Sequence, residues 1–270
     1  MDLGDIDTQQ KIDELERLLA GDDAAALFDA GIRARIAGEF RDCDGMIGLP
    51  LPDPELVAKM KQLSNDALDR AAELGNIEAG VDAANRIYFA RRADRAATAL
   101  AYLERAPDDP RALYLLGLCY GAAFGVPKDE AKSLDQHERA ARAGSADAMF
   151  ELYVYYAKGI GTAVDNARAV DWCRQAAEAG SSRAMANLGG FYATGNGVEQ
   201  DGAQAIAWYT KAADAGSGRA AATLGVMYAL GDSVEADDEK AKQFFRQAGE
   251  LGFPWWDMAD QCGLDPDDYE

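Results

Sequence analysis

The hydrophobic positions in the second half of the chain recur with the spacing of amphipathic helices. Residues 181–216 show the pattern most completely and read SSRAMANLGGFYATGNGVEQDGAQAIAWYTKAADAG. A first apolar stripe returns every four residues and consists of Ala184, Leu188 and Tyr192. A second stripe consists of Ala205, Trp208 and Ala212. Because a stripe of this period covers one face of an α-helix, the segment is predicted to form two helices packed as an αα-hairpin.

Glycine, aspartate and serine mark the ends of these two helices. The sequence GNG at Gly195–Gly197 ends the first helix, since glycine adopts the positive φ of a helix terminus at little cost. Asp201 is predicted to cap the second helix and Gly216 to end it. Ser217 is then placed to cap the helix that follows.

The whole hairpin repeats along the chain at intervals of 36 residues. Small-residue segments of the type AADAG end at Gly144, Gly180, Gly216 and Gly252. Three further positions keep the same step and carry Leu116, Leu152, Leu188 and Leu224; Tyr120, Tyr156, Tyr192 and Tyr228; and Asp129, Asp165, Asp201 and Asp237. A fixed period of this length is typical of stacked helical units that bury their apolar faces against their neighbours.

These residues resemble the Sel-one-like repeat family, a relative of the tetratricopeptide repeat with a longer loop between its helices. The matching pattern is Ala-x3-Leu-Gly-x2-Tyr, then Gly-x-Gly-Val, then Asp, then Ala-x2-Trp-Tyr-x-Lys-Ala-Ala-x-x-Gly. Three repeats depart from it: Tyr153 replaces the helix Gly, Ser233 replaces the second loop Gly, and Gln136 and Phe244 replace the Trp. The resemblance implies an all-α fold, a right-handed α-solenoid of stacked antiparallel helix pairs.

The repeat period divides the chain into four parts. They are predicted as an N-terminal helical cap with a degenerate helix pair at 1–75, a short tetratricopeptide-like repeat at 76–108, four 36-residue repeats at 109–252, and a C-terminal cap with an acidic tail at 253–270. Within the first part, helices are expected at 8–20, 24–38 and 54–74, with a Gly/Pro-rich loop DCDGMIGLPLPDP between the last two.

Charge is concentrated at the two ends of the chain. The first thirty residues carry nine acids against two bases, and residues 250–270 carry seven acids and no base, so the ends hold −14 of the net charge of −20. This balance argues against nucleic-acid binding, which needs lysine and arginine to displace counterions. It permits a basic protein partner through electrostatic steering, although acidic ends that serve only solubility remain the alternative.

No signal peptide or membrane-spanning run is visible, so neither secretion nor a membrane partner is expected and a cytoplasmic location is predicted. The four cysteines (Cys43, Cys119, Cys173 and Cys262) lie far apart without a CxxC pair. They predict no disulfide framework, and Cys119 and Cys173 are expected to be buried as small hydrophobic residues.

Catalytic and cofactor chemistry is not indicated by any motif. The loops Gly159–Gly161 and Gly195–Gly197 follow helices and lack GK[ST], so they are interpreted as structural turns. His137 is the only histidine, which leaves no catalytic triad or histidine-based metal site to assemble, and an ordinary packed or half-exposed histidine is expected. No enzyme, metal or cofactor is therefore predicted. Trp255 and Trp256 are interpreted as a lid over the last repeat or, alternatively, as an exposed contact anchor.

A partner-binding groove is inferred from the resemblance. In the tetratricopeptide fold the first helices line a concave groove, and positions around the Leu-Gly pair face the ligand. The residues placed at these positions are Arg111, Tyr114, Leu115, Leu118, Phe150, Glu151, Val154, Arg183, Asn187 and Arg219. The early repeats then present an aromatic patch around Tyr114 and Phe150, and the late repeats only small residues such as Ala186 and Ala222. The alternative is that Tyr114 and Phe150 are core residues between repeats.

The resemblance implies a scaffold or adaptor that binds a partner protein or peptide in this groove. An immunity or inhibitor protein that neutralises a basic toxin or enzyme is the alternative, because acidic ends would steer such an encounter. A hydrolase in the helical groove is the third and weakest reading.

Overall fold

The computed structural model of the chain describes residues 3–42 and 53–269. In these two ranges all regular structure is helical, with fourteen α-helices, two short 3-10 helices and no strand. The prediction of an all-α fold of stacked helix pairs is confirmed.

The helices group into two compact units, one ending at Lys128 and the other beginning at Asp129. The first unit contains α1 (Leu3–Leu19), α2 (Ala24–Asp42), α3 (Pro54–Glu73), α4 (Ile77–Phe89), α5 (Ala96–Glu104) and α6 (Pro110–Ala122). The second contains α7 (Glu130–Arg142), α8 (Ala146–Lys158), α9 (Asn166–Glu178), α10 (Ser182–Thr194), α11 (Gly202–Asp214), α12 (Gly218–Leu230), α13 (Asp238–Glu250) and α14 (Trp255–Gln261).

In the first unit, α1 and α2 pack against α3, and α4 packs against α5. Its N-terminal helices are held by large aliphatic side chains that are fully buried: Ile12, Leu15, Leu27, Met60 and Leu68. The helices predicted at 8–20, 24–38 and 54–74 are present as α1, α2 and α3. Of the predicted loop between α2 and α3, residues 43–52 lie outside the described part of the chain.

In the second unit, the helices pack as the hairpins α8–α9, α10–α11 and α12–α13, and successive hairpins meet through α9–α10 and α11–α12. The buried positions at these contacts are mostly alanines, including Ala176, Ala184, Ala212, Ala220 and Ala248. Because the alanine side chain is only a methyl group, neighbouring helices can approach closely at these positions.

The helices α7 to α13 each follow a residue whose side chain accepts a hydrogen bond from a backbone N–H of the first turn. The Asp201 carboxylate accepts a hydrogen bond from Gln204 N at 3.0 Å, and Ser217 Oγ accepts one from Ala220 N at 3.3 Å. Asp129, Asp165 and Asp237 cap the other second helices in the same way. The predicted caps at Asp201 and Ser217 are therefore confirmed, and such a cap contributes about 0.5–2 kcal/mol.

In each of the three hairpins, a large residue on one helix faces a small residue on the other helix. A Cβ atom on Gly225 of α12 would lie 2.6 Å from the Phe245 ring of α13, and one on Gly189 of α10 would lie 2.9 Å from the Tyr209 ring of α11. In the α8–α9 hairpin the large residue is on the first helix, where Tyr153 packs against the cluster that contains the buried Cys173. The departure of Tyr153 from the repeat pattern is thus matched by a small partner 20 residues later.

The glycine loop between the two helices of a hairpin packs against the helix that precedes the hairpin. Gly161 and Gly197 have φ of 66° and 75°. A Cβ on Gly161 would lie 2.5 Å from the carbonyl oxygen of Glu130, and one on Gly197 would lie 2.7 Å from Val170 Cγ2. The loops therefore act as structural turns, as predicted, and glycine is needed both for the backbone conformation and for the close approach.

The last helix covers the end of the second unit. In α14, Trp255 is 8% exposed and stacks on Phe245 at 4.5 Å between ring centroids, whereas Trp256 is 51% exposed. The lid interpretation therefore applies to Trp255, and Trp256 is available for contact. Within residues 3–42 and 53–269, none of the helices combines the length and the apolar character that crossing a bilayer requires.

Candidate partner-binding surface

The first helices of the second unit touch one another through their side chains. The guanidinium of Arg183 on α10 lies 4.3 Å from the centre of the Phe150 ring on α8, and its Nη2 lies 3.2 Å from Asp147 Oδ1 on α8. Arg183 therefore makes a cation–π contact and an ion pair at once. The two contacts fix an arginine and an aromatic ring beside each other at the surface.

The next contact in the same direction joins α10 to α12. Arg219 Nη2 donates to Asn187 Oδ1 at 3.3 Å. Arg219 and Arg183 occupy the same position of successive repeats, 36 residues apart. The side chains of this row, Asp147, Phe150, Glu151, Arg183, Asn187 and Arg219, are called the first-helix surface below.

Glu151 on the first-helix surface has a carboxyl group that is partly removed from water. Its side chain is half-buried, and this burial raises the pKa of the carboxyl group above its usual value. The nearby Asp147 raises the pKa further, while the positive charges of Arg183 and Lys158 oppose the rise. A carboxylate that is partly removed from water is stabilised by any cation brought next to it.

The ten residues predicted for the groove occupy different environments. Arg111, Arg183 and Arg219 are exposed, and Tyr114, Leu118, Phe150, Glu151, Val154 and Asn187 are half-buried. Leu115 is only 2% exposed and is a core residue of the first unit, so its side chain does not line a surface. It lies next to Tyr114, and one residue step turns a helix by about 100°, which carries the side chain from the surface to the interior.

The six predicted residues of the second unit include the five that line the first-helix surface beside Asp147. The prediction that Ala186 and Ala222 line a shallow end of the groove is wrong, because both are buried. Phe150 occupies the same position one or two repeats earlier, and its larger ring extends from the core to the surface. One part of the ring packs against the cluster of Cys173 and Leu188, and another part meets Arg183.

The four predicted residues on α6 belong to the first unit. Tyr114 and Leu118 pack at the edge of that unit's core, and Arg111 pairs with Asp109 at 3.0 Å. Their participation in partner binding stays a prediction.

The repeat assignment is decided by comparison with known families. A family model described as the Sel1 repeat matches residues 110–145, 146–181, 182–217 and 218–253, more than half of the chain. The chain belongs to the Sel1 repeat family. Sel1 repeats generally mediate protein–protein interaction.

Solved structures share the fold of this Sel1 repeat protein. A protective antigen of uropathogenic Escherichia coli strains that displays an SLR fold aligns with a TM-score of 0.63 and 24% identity over 94% of this chain. The chain spans 52% of that antigen. A Sel1 repeat protein from Oxalobacter formigenes aligns with a TM-score of 0.60 and 28% identity, covering 70% of this chain and 78% of its own.

A third neighbour is an immunity protein from Pseudomonas aeruginosa. It aligns with a TM-score of 0.56 and 20% identity over 83% of this chain and 81% of its own, a likeness that shows the fold. A comparison with curated protein sequences finds no match.

The lone histidine of the Sel1 repeat protein is a core residue. His137 is fully buried, and its ring meets the edge of Tyr155 at 5.4 Å. Burial lowers the pKa of the imidazole to about 4, so it is neutral at pH 7. Beside it, the Ser133 and Tyr155 hydroxyl oxygens are 2.6 Å apart and share a hydrogen bond. Of the two environments expected for His137, packed and half-exposed, the structure shows the packed one.

Two of the cysteines have the environment expected from the sequence. Cys119 and Cys173 are buried and free. Burial raises the pKa of the Cys119 thiol to about 11 and that of Cys173 to about 12, so both are unreactive thiols at neutral pH. Cys43 lies outside the described residues. The described ranges bring no three His, Cys, Asp or Glu side chains together in a way that could hold a metal ion.

Asp147 is not among the ten predicted groove residues, although it occupies the same position of its repeat as Arg183 and carries the opposite charge. The exact repeat period carries the signal, because residues at equivalent positions of stacked repeats lie next to each other in space.

Proposed function

We propose that this Sel1 repeat protein is a non-enzymatic adaptor that binds a partner protein, and that the first-helix surface is the part that contacts the partner. The observation that carries the proposal is the placement of Arg183 on the Phe150 ring and beside Asp147. Arginine and aromatic side chains are enriched at the centres of protein interfaces, because aromatic rings bury large areas and the planar guanidinium donates several hydrogen bonds. Here the two are already held in position before a partner arrives.

The charge of the surface favours a partner segment with a basic residue. Arg183 is engaged by Asp147, whereas the half-buried carboxyl group of Glu151 has an elevated pKa. A partner's lysine or arginine beside Glu151 would stabilise the carboxylate, and the net charge of −20 would speed the encounter.

The test is a pull-down from a lysate of the source organism with the full chain as bait. The double variant Phe150→Ala/Arg183→Ala is expected to lose the partner that the parent chain captures. The matched control is Trp208→Ala/Lys211→Ala, which removes the same kind of contact, Lys211 over the Trp208 ring at 4.2 Å, from a second helix. Circular dichroism first establishes that both variants fold.

A partner retained by the Phe150→Ala/Arg183→Ala variant, or lost equally from both variants, would contradict the proposal. Elution in rising salt gives the electrostatic share of binding, since a basic partner held by surface charge elutes at high salt.

An immunity or inhibitor protein is the second candidate. Two solved neighbours from Pseudomonas aeruginosa are immunity proteins, with TM-scores of 0.51 and 0.56 and identities of 17% and 20%. The acidic balance of the present chain agrees with a basic toxin or enzyme as target. A single basic prey whose activity is inhibited by the chain would favour this candidate, and several preys without such inhibition would favour the adaptor.

A further inference from the structure

The turn after α4 uses arginine where the chain elsewhere uses glycine. Arg91 has a φ of 54°, and its N–H donates to the Tyr88 carbonyl at 3.0 Å, while Arg92 N–H donates to the Ile87 carbonyl at 3.1 Å. The same pair of hydrogen bonds ends α3, α7, α9 and α11. There the residue equivalent to Arg91 is Gly75, Gly144, Gly180 or Gly216, each with a positive φ.

A residue with a Cβ atom adopts this left-handed conformation at a cost that glycine avoids. Strain of this kind persists only where the surrounding structure enforces it, and it is frequently associated with function. The Arg91 side chain is therefore kept at the turn against the preference of the backbone.

The Arg91 side chain is exposed and lies over the Tyr88 ring. Its guanidinium lies 5.3 Å from the centre of the Tyr88 ring, and the Tyr88 ring meets Phe124 edge-on at 5.2 Å. In the described part of the chain no carboxylate forms an ion pair with Arg91. The neighbouring Arg92 is exposed as well, and among the described residues its ion pair is with Asp94, two residues away, at 2.8 Å.

An exposed aromatic ring completes the group. Phe89, the last residue of α4, is 60% exposed and meets Tyr88 edge-on at 5.2 Å. The segment Phe89–Arg92 thus contains one exposed ring, two arginines and no acid, within a chain of net charge −20. Aromatic residues and arginine are both enriched at the cores of protein interfaces.

We propose that Phe89, Arg91 and Arg92 of the first unit form a second contact surface, which binds an acidic segment of a partner protein. A carboxylate of the segment pairs with the Arg91 guanidinium, a second carboxylate competes with Asp94 for Arg92, and an apolar side chain packs on Phe89. Arginine pairs with carboxylates through two parallel hydrogen bonds, which suits a short segment. A nucleic acid is disfavoured because its long polyanionic backbone is repelled by the rest of the chain.

The test measures the fluorescence anisotropy of a labelled peptide, Asp-Glu-Asp-Phe-Asp-Glu, with the full chain at low salt. Arg91→Gly is expected to weaken peptide binding by about tenfold and, at the same time, to raise the urea midpoint of unfolding, since glycine relieves the backbone. If Arg91 has a purely structural function, Arg91→Gly lowers the urea midpoint instead. Phe89→Ser is expected to weaken binding without lowering the midpoint, because the ring is exposed.

Two controls isolate the site. Ser233→Gly makes the same backbone change at another residue of positive φ, 62°, and is expected to raise the midpoint and leave peptide binding unchanged. Arg142→Ala removes one exposed positive charge from α7 and is also expected to leave binding unchanged.

Several results would overturn the proposal. They are absence of peptide binding by the parent chain, unchanged binding by Arg91→Gly, equal weakening by Arg142→Ala, equal binding of the peptide with serine in place of phenylalanine, and binding of an oligo-dT strand as tight as that of the peptide.

Discussion

Ser233 in the loop of the last hairpin lies directly against Gly202 at the start of α11, and a Cβ atom on Gly202 would collide with the Ser233 Cβ. In the α8–α9 hairpin, the same contact is made by Gly161 against the backbone of Glu130. At the contact between Ser233 and Gly202, the glycine is therefore on the helix and not in the loop. The departure of Ser233 from the repeat pattern is therefore compensated 31 residues earlier in the chain.

This pairing predicts that substitutions at the two positions are not additive. Gly202→Ala in the parent chain is expected to lower the free energy of unfolding by about 1–3 kcal/mol, because the new methyl group overlaps Ser233. In a Ser233→Gly background the same substitution is expected to be neutral or stabilising by up to about 1 kcal/mol, since alanine favours helix over glycine. Urea unfolding of the four chains gives the coupling energy, and equal effects in both backgrounds would show that the contact is absent.

The facing pair Gly225 and Phe245 predicts opposite effects for the same substitution in neighbouring helices. Gly225→Ala is expected to destabilise the chain by about 1–3 kcal/mol, because its Cβ would lie 2.6 Å from a fully buried ring. Gly249→Ala at an exposed position of α13 is the control, since its Cβ would meet only the Trp255 ring, at 3.6 Å from Nε1 and 3.8 Å from Cδ1. The control is expected to stabilise by about 0.5–1 kcal/mol. If thermal or urea unfolding shows that both substitutions change stability in the same direction, Gly225 is not required to make room for Phe245.

The partial burial of Phe150 predicts a modest loss of stability. Phe150→Ala is expected to lower the free energy of unfolding by about 1–2 kcal/mol, because part of the ring packs against the core and part contacts only Arg183. A loss of about 3–5 kcal/mol would identify Phe150 as a core residue instead. Urea unfolding measured beside partner binding separates the two functions of the ring.

Burial of His137 predicts sensitivity to mild acid. The imidazole pKa is about 4 in the folded chain, below the ordinary value of 6.5, so the unfolded chain takes up the proton first as the pH falls. Stability from this residue is complete above pH 6.5 and is lost between pH 6.5 and 4, by on the order of 3 kcal/mol in total. His137→Phe is expected to flatten the dependence of the urea midpoint on pH in this interval. An unchanged slope would mean that His137 is accessible to protons.

Much of the second unit could be predicted from the sequence because local signals and the period agree. Caps such as Asp201 and terminators such as Gly216 act within a few residues of themselves, so their function can be seen without a structure. The aromatic lid could be predicted only in part, since adjacent residues Trp255 and Trp256 have opposite exposures. Leu115 shows the same limit, because a single residue step on a helix separates surface from core.

Taken by itself, the sequence determined the helical hairpin, its 36-residue period and the residues that begin and end each helix, because these depend on short-range periodicity and backbone conformation. The tertiary structure alone decided the contacts that join residues across repeats. Three features depend on which side chains meet after the helices have packed. They are the contact of Arg183 with the Phe150 ring, the glycine that lies in the loop at Gly161 but on the helix at Gly202, and the positive φ of Arg91. Packing distances of a few ångströms are set by the whole stack, so no single segment contains them.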